Sequence, residues 1–221
     1  MQAARLPPPR FSSATAAGHD KKPVPTRPGG SASERKRGKA GFASPPIAEQ
    51  GLRLPETLAP ALTDALDAKI EQLLKEASRR ELKLVTAESC TGGLLASLLT
   101  DVTGCSHAFE RGFVTYTEAA KHEMLGVPET LLDDPGPVSE VVARAMAEGA
   151  LAHSEGDIAL SITGFAGPGG PDDTPGLVHF ASAVRGGPTF HRRRRFEETD
   201  RAGVRLRAIE TALAMLEERL A

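Results

Sequence analysis

The chain has 221 residues, a formal net charge of −2, 40% hydrophobic residues and no tryptophan, a balance that fits a soluble globular protein and gives no sign of a nucleic-acid or membrane partner. Its two cysteines, Cys90 and Cys105, form no CxxC or Cys/His cluster, so neither a zinc site nor a disulfide framework is expected and a reducing, cytoplasmic setting suits them best. No apolar stretch is long enough to cross a bilayer.

Residues 1–50 are rich in Pro, Ser, Gly, Arg and Lys, as in "KKPVPTRPGGSASERKRGKAG", and carry no helical or strand period. Burial there cannot offset the entropy of ordering the chain, so the segment is read as a disordered, solvated tail and residues 51–221 as the folded domain. The tail has no apolar core of a secretory signal. Its Arg and Ser with few acids resemble an organelle transit peptide, but its prolines and the basic cluster "ERKRGK" suit an amphipathic targeting helix poorly.

From Leu58 the pattern turns helical: Leu58, Leu62, Leu66, Ile70, Leu73, Leu74 and Ala77 recur at three- and four-residue intervals. "LKLVTA" predicts a strand running into Glu88-Ser89-Cys90-Thr91-Gly92-Gly93. Leu94, Leu95, Leu98 and Leu99 then form the apolar face of a helix that stops near Gly104. Gly112–Tyr116 predicts a buried strand, "TEAAKHEML" a short helix closed by Gly126, and Ser139-Glu140 the start of a helix with Val142, Met146 and Leu151 inside. Asp157–Thr163 reads as the cleanest strand and enters the Gly/Pro-rich loop "GFAGPGGPDDTPG". "LVHFASAV" and "TFHRRRRF" predict a hairpin about "RGG". Thr199 or Asp200 caps a last helix with Val204, Ile209, Leu213, Leu216 and Leu220 inward. Alternating helices and strands predict an α/β fold, a three-layer α/β/α sandwich whose late hairpin makes the sheet mixed.

Several familiar signatures are missing. There is no GxxxxGK[ST] loop, Ser89 is in no GxSxG elbow, and "HEMLG" lacks a zincin's second histidine. The run Arg192–Arg195 reads as a solvated edge strand rather than a nucleic-acid surface. What remains is a set of polar residues at strand ends, where ligands bind in open α/β sheets: Glu88, Ser89 and Thr91 after the first strand, Tyr116 after the second, Thr163 and Gly164 after the third. Lys121, five residues after Tyr116, can swing back over the same rim on a short helix, and Ser139 begins another helix there. Each also has an ordinary structural explanation: Ser139 as an N-cap, Thr163 as a β-former, Lys121 as a surface charge.

Such a group suits nucleophilic chemistry. A serine needs a base, and a lysine serves when burial or a neighbouring positive charge lowers its pKa. Ser89 attacking an amide carbonyl, with Lys121 taking the proton, gives an acyl-enzyme. N–H groups at Gly92–Gly93 or Gly164 are candidates to hold the oxyanion, and Thr91 competes with Ser89 as nucleophile.

In order and spacing, "TAESCTGGLLASLLTDVTGCSHAFERGFVTYTEAAKHEMLGV", "GPVSEVVARAMAEGA" and "LSITGFAGPGG" resemble the CinA C-terminal domain family over about residues 65 to 220. The resemblance implies a three-layer α/β fold and hydrolysis of the carboxamide of nicotinamide mononucleotide to nicotinate mononucleotide and ammonia, a step of pyridine-nucleotide salvage, with no metal and no cofactor. It implies Ser89, Lys121 and Tyr116 as catalytic residues, with Glu88, Thr91, Gly92, Gly93, Ser139, Thr163, Gly164 and Arg205 around a small nucleotide substrate, and it leaves a homo-oligomer open. The chain departs from the family pattern at Gly136-Pro137-Val138-Ser139, at Thr174-Pro175-Gly176-Leu177-Val178, which lacks a lysine and is one residue short, and at Thr199-Asp200-Arg201, which follows an extra residue; Arg201 and Arg205 stay candidates to reach a phosphate. A non-catalytic CinA-like domain that binds a nucleotide or a protein partner is the rival expectation.

Overall fold

The computed structural model describes residues 64–167, 173–197 and 200–221. The tail assigned to residues 1–50, the helical positions Leu58 and Leu62, and Thr199 lie outside the described residues. Helix α1 (Asp64–Arg79) has acids in its first turn and Arg79 in its last, which suits the helix dipole, and it buries Ile70, Leu73, Leu74 and Ala77 along one stripe. Strand β1 (Leu84–Glu88) is buried at every residue because it lies between two other strands. Helix α2 (Leu94–Thr100) follows, with Leu94, Leu95, Leu98 and Leu99 inside as the spacing predicts.

Strand β2 (Phe109–Val114) corrects two expectations. It begins and ends earlier than Gly112–Tyr116, and it is half-buried or exposed rather than buried. The reason is its place at one edge of the sheet, with β1 as its single strand neighbour. Helix α3 (Glu118–Leu125) is capped by the Thr117 hydroxyl, which accepts from Ala120 N, and closed by Gly126 at φ 68°. Helix α4 (Glu129–Asp133) was not foreseen, since five residues carry no readable period. Helix α5 (Glu140–Ala152) starts at the Ser139 cap. Strands β3 (Ile158–Gly164), β4 (Leu177–Val184) and β5 (Phe190–Arg195) and helix α6 (Arg201–Leu220) complete the chain, with the Asp200 carboxylate accepting from Gly203 N at the start of α6.

The sheet runs β2-β1-β3-β4-β5. The first three strands are parallel, and β4 and β5 are antiparallel to their neighbours. This is the mixed sheet of an α/β sandwich. One face packs Leu84, Ile158, Leu160, Ile162, Val178 and Phe180 against α1, α2 and α6. The other presents Val85, Ala87, Ala159, Ala181 and Ala183 to α5, with α3 and α4 beyond. The small strand residues bring α5 close, and Ser161 Oγ donates to Ala143 O at 2.6 Å across the gap. The chain leaves β1 for β2 on one side and returns as β3 on the other, so the carboxyl ends of β1 and β3 flank a crevice.

Gly149 marks the tightest contact between α5 and α3. A Cβ there would stand 2.0 Å from the carbonyl oxygen of Leu125, a backbone atom that cannot step aside. Gly149→Ala is therefore expected to destabilise the domain by about 2 kcal/mol, despite the better helix propensity of alanine. A thermal melt should show a fall of roughly 4–8 °C, and an unchanged or higher melting temperature would refute this packing.

Candidate active site

The corner after β1 is fixed from both sides of the chain. Ser89 N donates to Ile162 O at 2.9 Å, extending the β1–β3 pairing by one residue, and Thr115 N donates to Glu88 O at 2.8 Å from the β2 side. Glu88 itself is fully buried, and its two carboxylate oxygens accept from Leu95 N at 3.0 Å and Ala96 N at 2.8 Å. It thus caps α2, whose N-cap position is Gly93 at φ 88° and offers no side chain. Gly92 N donates to Ser89 O, so that N–H is committed to the turn.

Above this corner lies Lys121. It sits on the inner face of α3 one turn before the buried Leu125, and only 2% of it is exposed. Its Nζ stands 3.2 Å from Ser89 Oγ and donates to it. Burial pushes the Lys121 ammonium below the usual lysine range, opposed by the negative charge of Glu118. Burial likewise raises the neighbouring Cys90 thiol to about 11, which keeps it protonated and a poor competitor as nucleophile.

Ser89 and Lys121 line a cavity of about 320 Å³ together with Cys90, Tyr116, Pro137, Gly164, Asp173 and Arg201. The size suits a small ligand. Tyr116 stands two residues beyond the end of β2 and is 60% exposed at the mouth, where Arg201 Nη2 donates to its hydroxyl at 3.2 Å. Cys90 was not among the expected site residues, whereas Arg201 is one of the two arginines expected near a phosphate and is the one that reaches the cavity. A larger depression of about 560 Å³ lies between α1 and the end of α2, but among the described residues its wall carries the carboxylates of Asp64, Asp67, Glu71 and Asp101 and no lysine or histidine.

The other expected residues stand around the cavity rather than on it. The Thr91 side chain is wholly buried. Arg205 Nη2 is turned to Thr91 O at 2.8 Å, a full turn of α6 beyond Arg201. Ser139 Oγ donates to Gly136 O and accepts from Val142 N, the ordinary work of a cap. Thr163 Oγ1 donates to Pro137 O at 2.7 Å, tying β3 to the cavity wall. Gly164 does reach the cavity, where a Cβ would collide with Leu177 O at 2.6 Å. Gly92 and Gly93 shape the turn behind Ser89 with positive φ. Among the described residues no group of three or more His, Cys, Asp or Glu is placed to hold a metal ion, and no helix is long and apolar enough to cross a membrane.

Residues 66–220 match the CinA C-terminal domain. The nicotinamide-nucleotide amidohydrolase PncC of Escherichia coli K12 is 47% identical over 148 residues, which cover 66% of this chain and 89% of that protein. A CinA-like protein of Akkermansia muciniphila is 55% identical over 114 residues, 51% of this chain and 28% of that protein. Another, from Geobacter sulfurreducens, is 44% identical over 170 residues, 76% of this chain and 40% of that protein. The chain thus spans well under half the length of these larger relatives. Among solved structures, the competence/damage inducible protein CihA from Agrobacterium tumefaciens superposes with a TM-score of 0.67 at 42% identity, covering 69% of this chain and 93% of that one. The match reaches from the first turn of α1 to the end of α6 and takes in every strand of the sheet, so the chain belongs to the CinA C-terminal domain family.

Proposed function

We propose that the chain is an amidohydrolase that converts nicotinamide mononucleotide to nicotinate mononucleotide and ammonia, a salvage step of pyridine-nucleotide metabolism in the cytoplasm. The observation that carries this reading is the buried Ser89–Lys121 pair, 3.2 Å apart on the wall of a cavity sized for a small molecule. The amidohydrolase name and 47% identity of the PncC relative support the reaction class.

Desolvation disfavours the charged amine, so the neutral form of Lys121 is within reach, and its lone pair then accepts the Ser89 hydroxyl proton. Ser89 Oγ attacks the carboxamide carbon and the proton passes to Lys121 Nζ. As the tetrahedral intermediate collapses, the C–N bond breaks and Lys121 returns that proton to the departing ammonia. Water then attacks the acyl-enzyme, Lys121 takes its proton, and the C–O bond to Ser89 breaks as Oγ is reprotonated. Arg201 at the mouth offers a guanidinium suited to the nucleotide phosphate, and the exposed ring of Tyr116 offers a face for the ligand.

Ser89→Ala and Lys121→Met are each expected to lower ammonia release by about a thousandfold or more, with the double variant little worse because the two act as a unit. Loss of turnover in Thr91→Ala with most of it kept in Ser89→Ala would transfer the nucleophile to Thr91. If the parent and both single variants release ammonia at the same background rate, the non-catalytic binding domain is the correct reading.

The pH profile gives a separate check. The base works only when deprotonated, so kcat/KM should rise with pH and level off once Lys121 has lost its proton. Because burial lowers that pKa, the plateau should begin below the range of a free lysine. A limb still rising at the ordinary lysine pKa would argue against Lys121 as base.

A further inference from the structure

Away from the nucleophile, three side chains from three elements form a line. Glu140 is the first residue of α5, His191 lies on β5, and His179 lies on β4. Glu140 Oε2 is 3.2 Å from His191 Nδ1, and His191 Nε2 is 3.0 Å from His179 Nδ1. The two rings stack with centroids 5.1 Å apart. With the Glu140 carboxylate accepting from Nδ1, His191 is left with a bare Nε2, which accepts the Nδ1 proton of His179. Both hydrogen bonds are satisfied when both imidazoles are neutral.

The line ends on the cavity wall. Pro137 and Val138 line the cavity, and the chain passes from them through the Ser139 cap directly into Glu140. His179 is the register partner of Thr163, whose hydroxyl holds Pro137 O. The wall is therefore pinned twice to the sheet: by Thr163 of β3 at Pro137, and by the histidine pair of β4 and β5 at Glu140. Below Glu140 the same ridge of α5 continues the attachment, since Arg144 donates to Thr189 O and Glu148 accepts from Thr189 Oγ1.

We propose that His191, relayed by His179, is a positioning residue that holds Glu140 and with it the Pro137–Val138 wall of the substrate cavity, and that acid releases this hold. The charged groups facing the pair are Glu140 and Arg144 from α5 and Arg193 from β5. Burial and the positive neighbours resist a proton on the pair, and His179 is held down to about 4. A group whose folded pKa is depressed in this way leaves stability intact above the free histidine value, about 6.5, and withdraws it as pH falls from there toward 4. The second proton turns the acceptor Nε2 of His191 into a donor facing a donor, and the relay breaks.

The kinetic arm of the test rests on the amidase reading; the exchange arm does not. On the full chain with nicotinamide mononucleotide, His191→Phe should raise KM about tenfold while kcat stays within about twofold, because a loosened wall weakens ground and transition states alike. His191→Gln, which can donate to Glu140 and accept from His179, should restore KM and flatten its rise below pH 6. In parallel, the protection of peptides covering residues 136–142 against hydrogen exchange, taken relative to the intrinsic chemical rate at each pH, should fall severalfold in His191→Phe, and in the parent at pH 5 compared with neutral pH, but not in His191→Gln. Glu140→Ala, at an exposed position, should reproduce the faster exchange if His191→Phe fails to fold. No ammonia from the parent, with the exchange pattern as described, would sink the amidase reading and leave the positioning role standing. Exchange at 136–142 that is the same in all variants, or a fall in kcat with KM unchanged, would overturn the positioning role.

Discussion

Glu88 holds a carboxylate away from water at the end of the central strand, and the site is assembled on that one commitment. A buried carboxylate is tolerated when its oxygens are fully hydrogen-bonded, and both oxygens here take an N–H from the first turn of α2. The helix in turn has no capping side chain of its own at Gly93, so strand and helix complete each other. The residue that follows is then fixed in direction as well as place. The Ser89 backbone cannot shift away from Lys121 without straining the carboxylate–helix bonds of its neighbour or breaking its own N–H contact with Ile162, and the hydrogen bond from Lys121 Nζ sets the direction of its hydroxyl.

Lys121 depends on this frame. An amine is kept from water only where something compensates, and a serine hydroxyl is a modest partner for a full charge. Shielding thus biases the amine toward its neutral form, which is the form the proposed chemistry uses. The helix that carries it is short but firmly bounded, by the Thr117 hydroxyl at one end and the left-handed Gly126 at the other. A lysine and a leucine four residues apart on the inner face of so short a helix are the local sign that this lysine is not a surface charge.

Much of this was legible in the chain. The Leu94–Leu99 stripe, the Gly126 stop, the Ser139 cap and the hairpin all follow from local rules, and counting from Tyr116 brings Lys121 over the rim. What local pattern does not carry is direction within the rim. Ser139, Thr163 and Glu88 all belong to the rim by their place in the chain, yet each is buried and spends its side-chain oxygen on the backbone rather than on the cavity. Arg205 and Arg201 show the same gap in helical terms. Four residues apart they share a face, but one turn of rise separates the cavity mouth from the Thr91 carbonyl. The edge position of β2 was equally unreadable, because Phe, Val and Gly in a short run look alike at the edge and in the centre of a sheet.

The two faces of the sheet differ in a way that bears on how this chain can change over time. Toward α1, α2 and α6 the strands carry leucine, isoleucine and phenylalanine, while toward α5 they carry mostly alanine. A core made of large side chains loses stability mainly when it is trimmed, since trimming leaves holes. One made of alanine has almost nothing to trim and is harmed by growth. Drift on one side is therefore bounded from below in volume, and on the other from above. The wall of the cavity that Ser89 and Lys121 line hangs on the α5 side, so enlargements that creep in beneath that helix are the changes that would reshape the cavity without touching the Ser89–Lys121 pair.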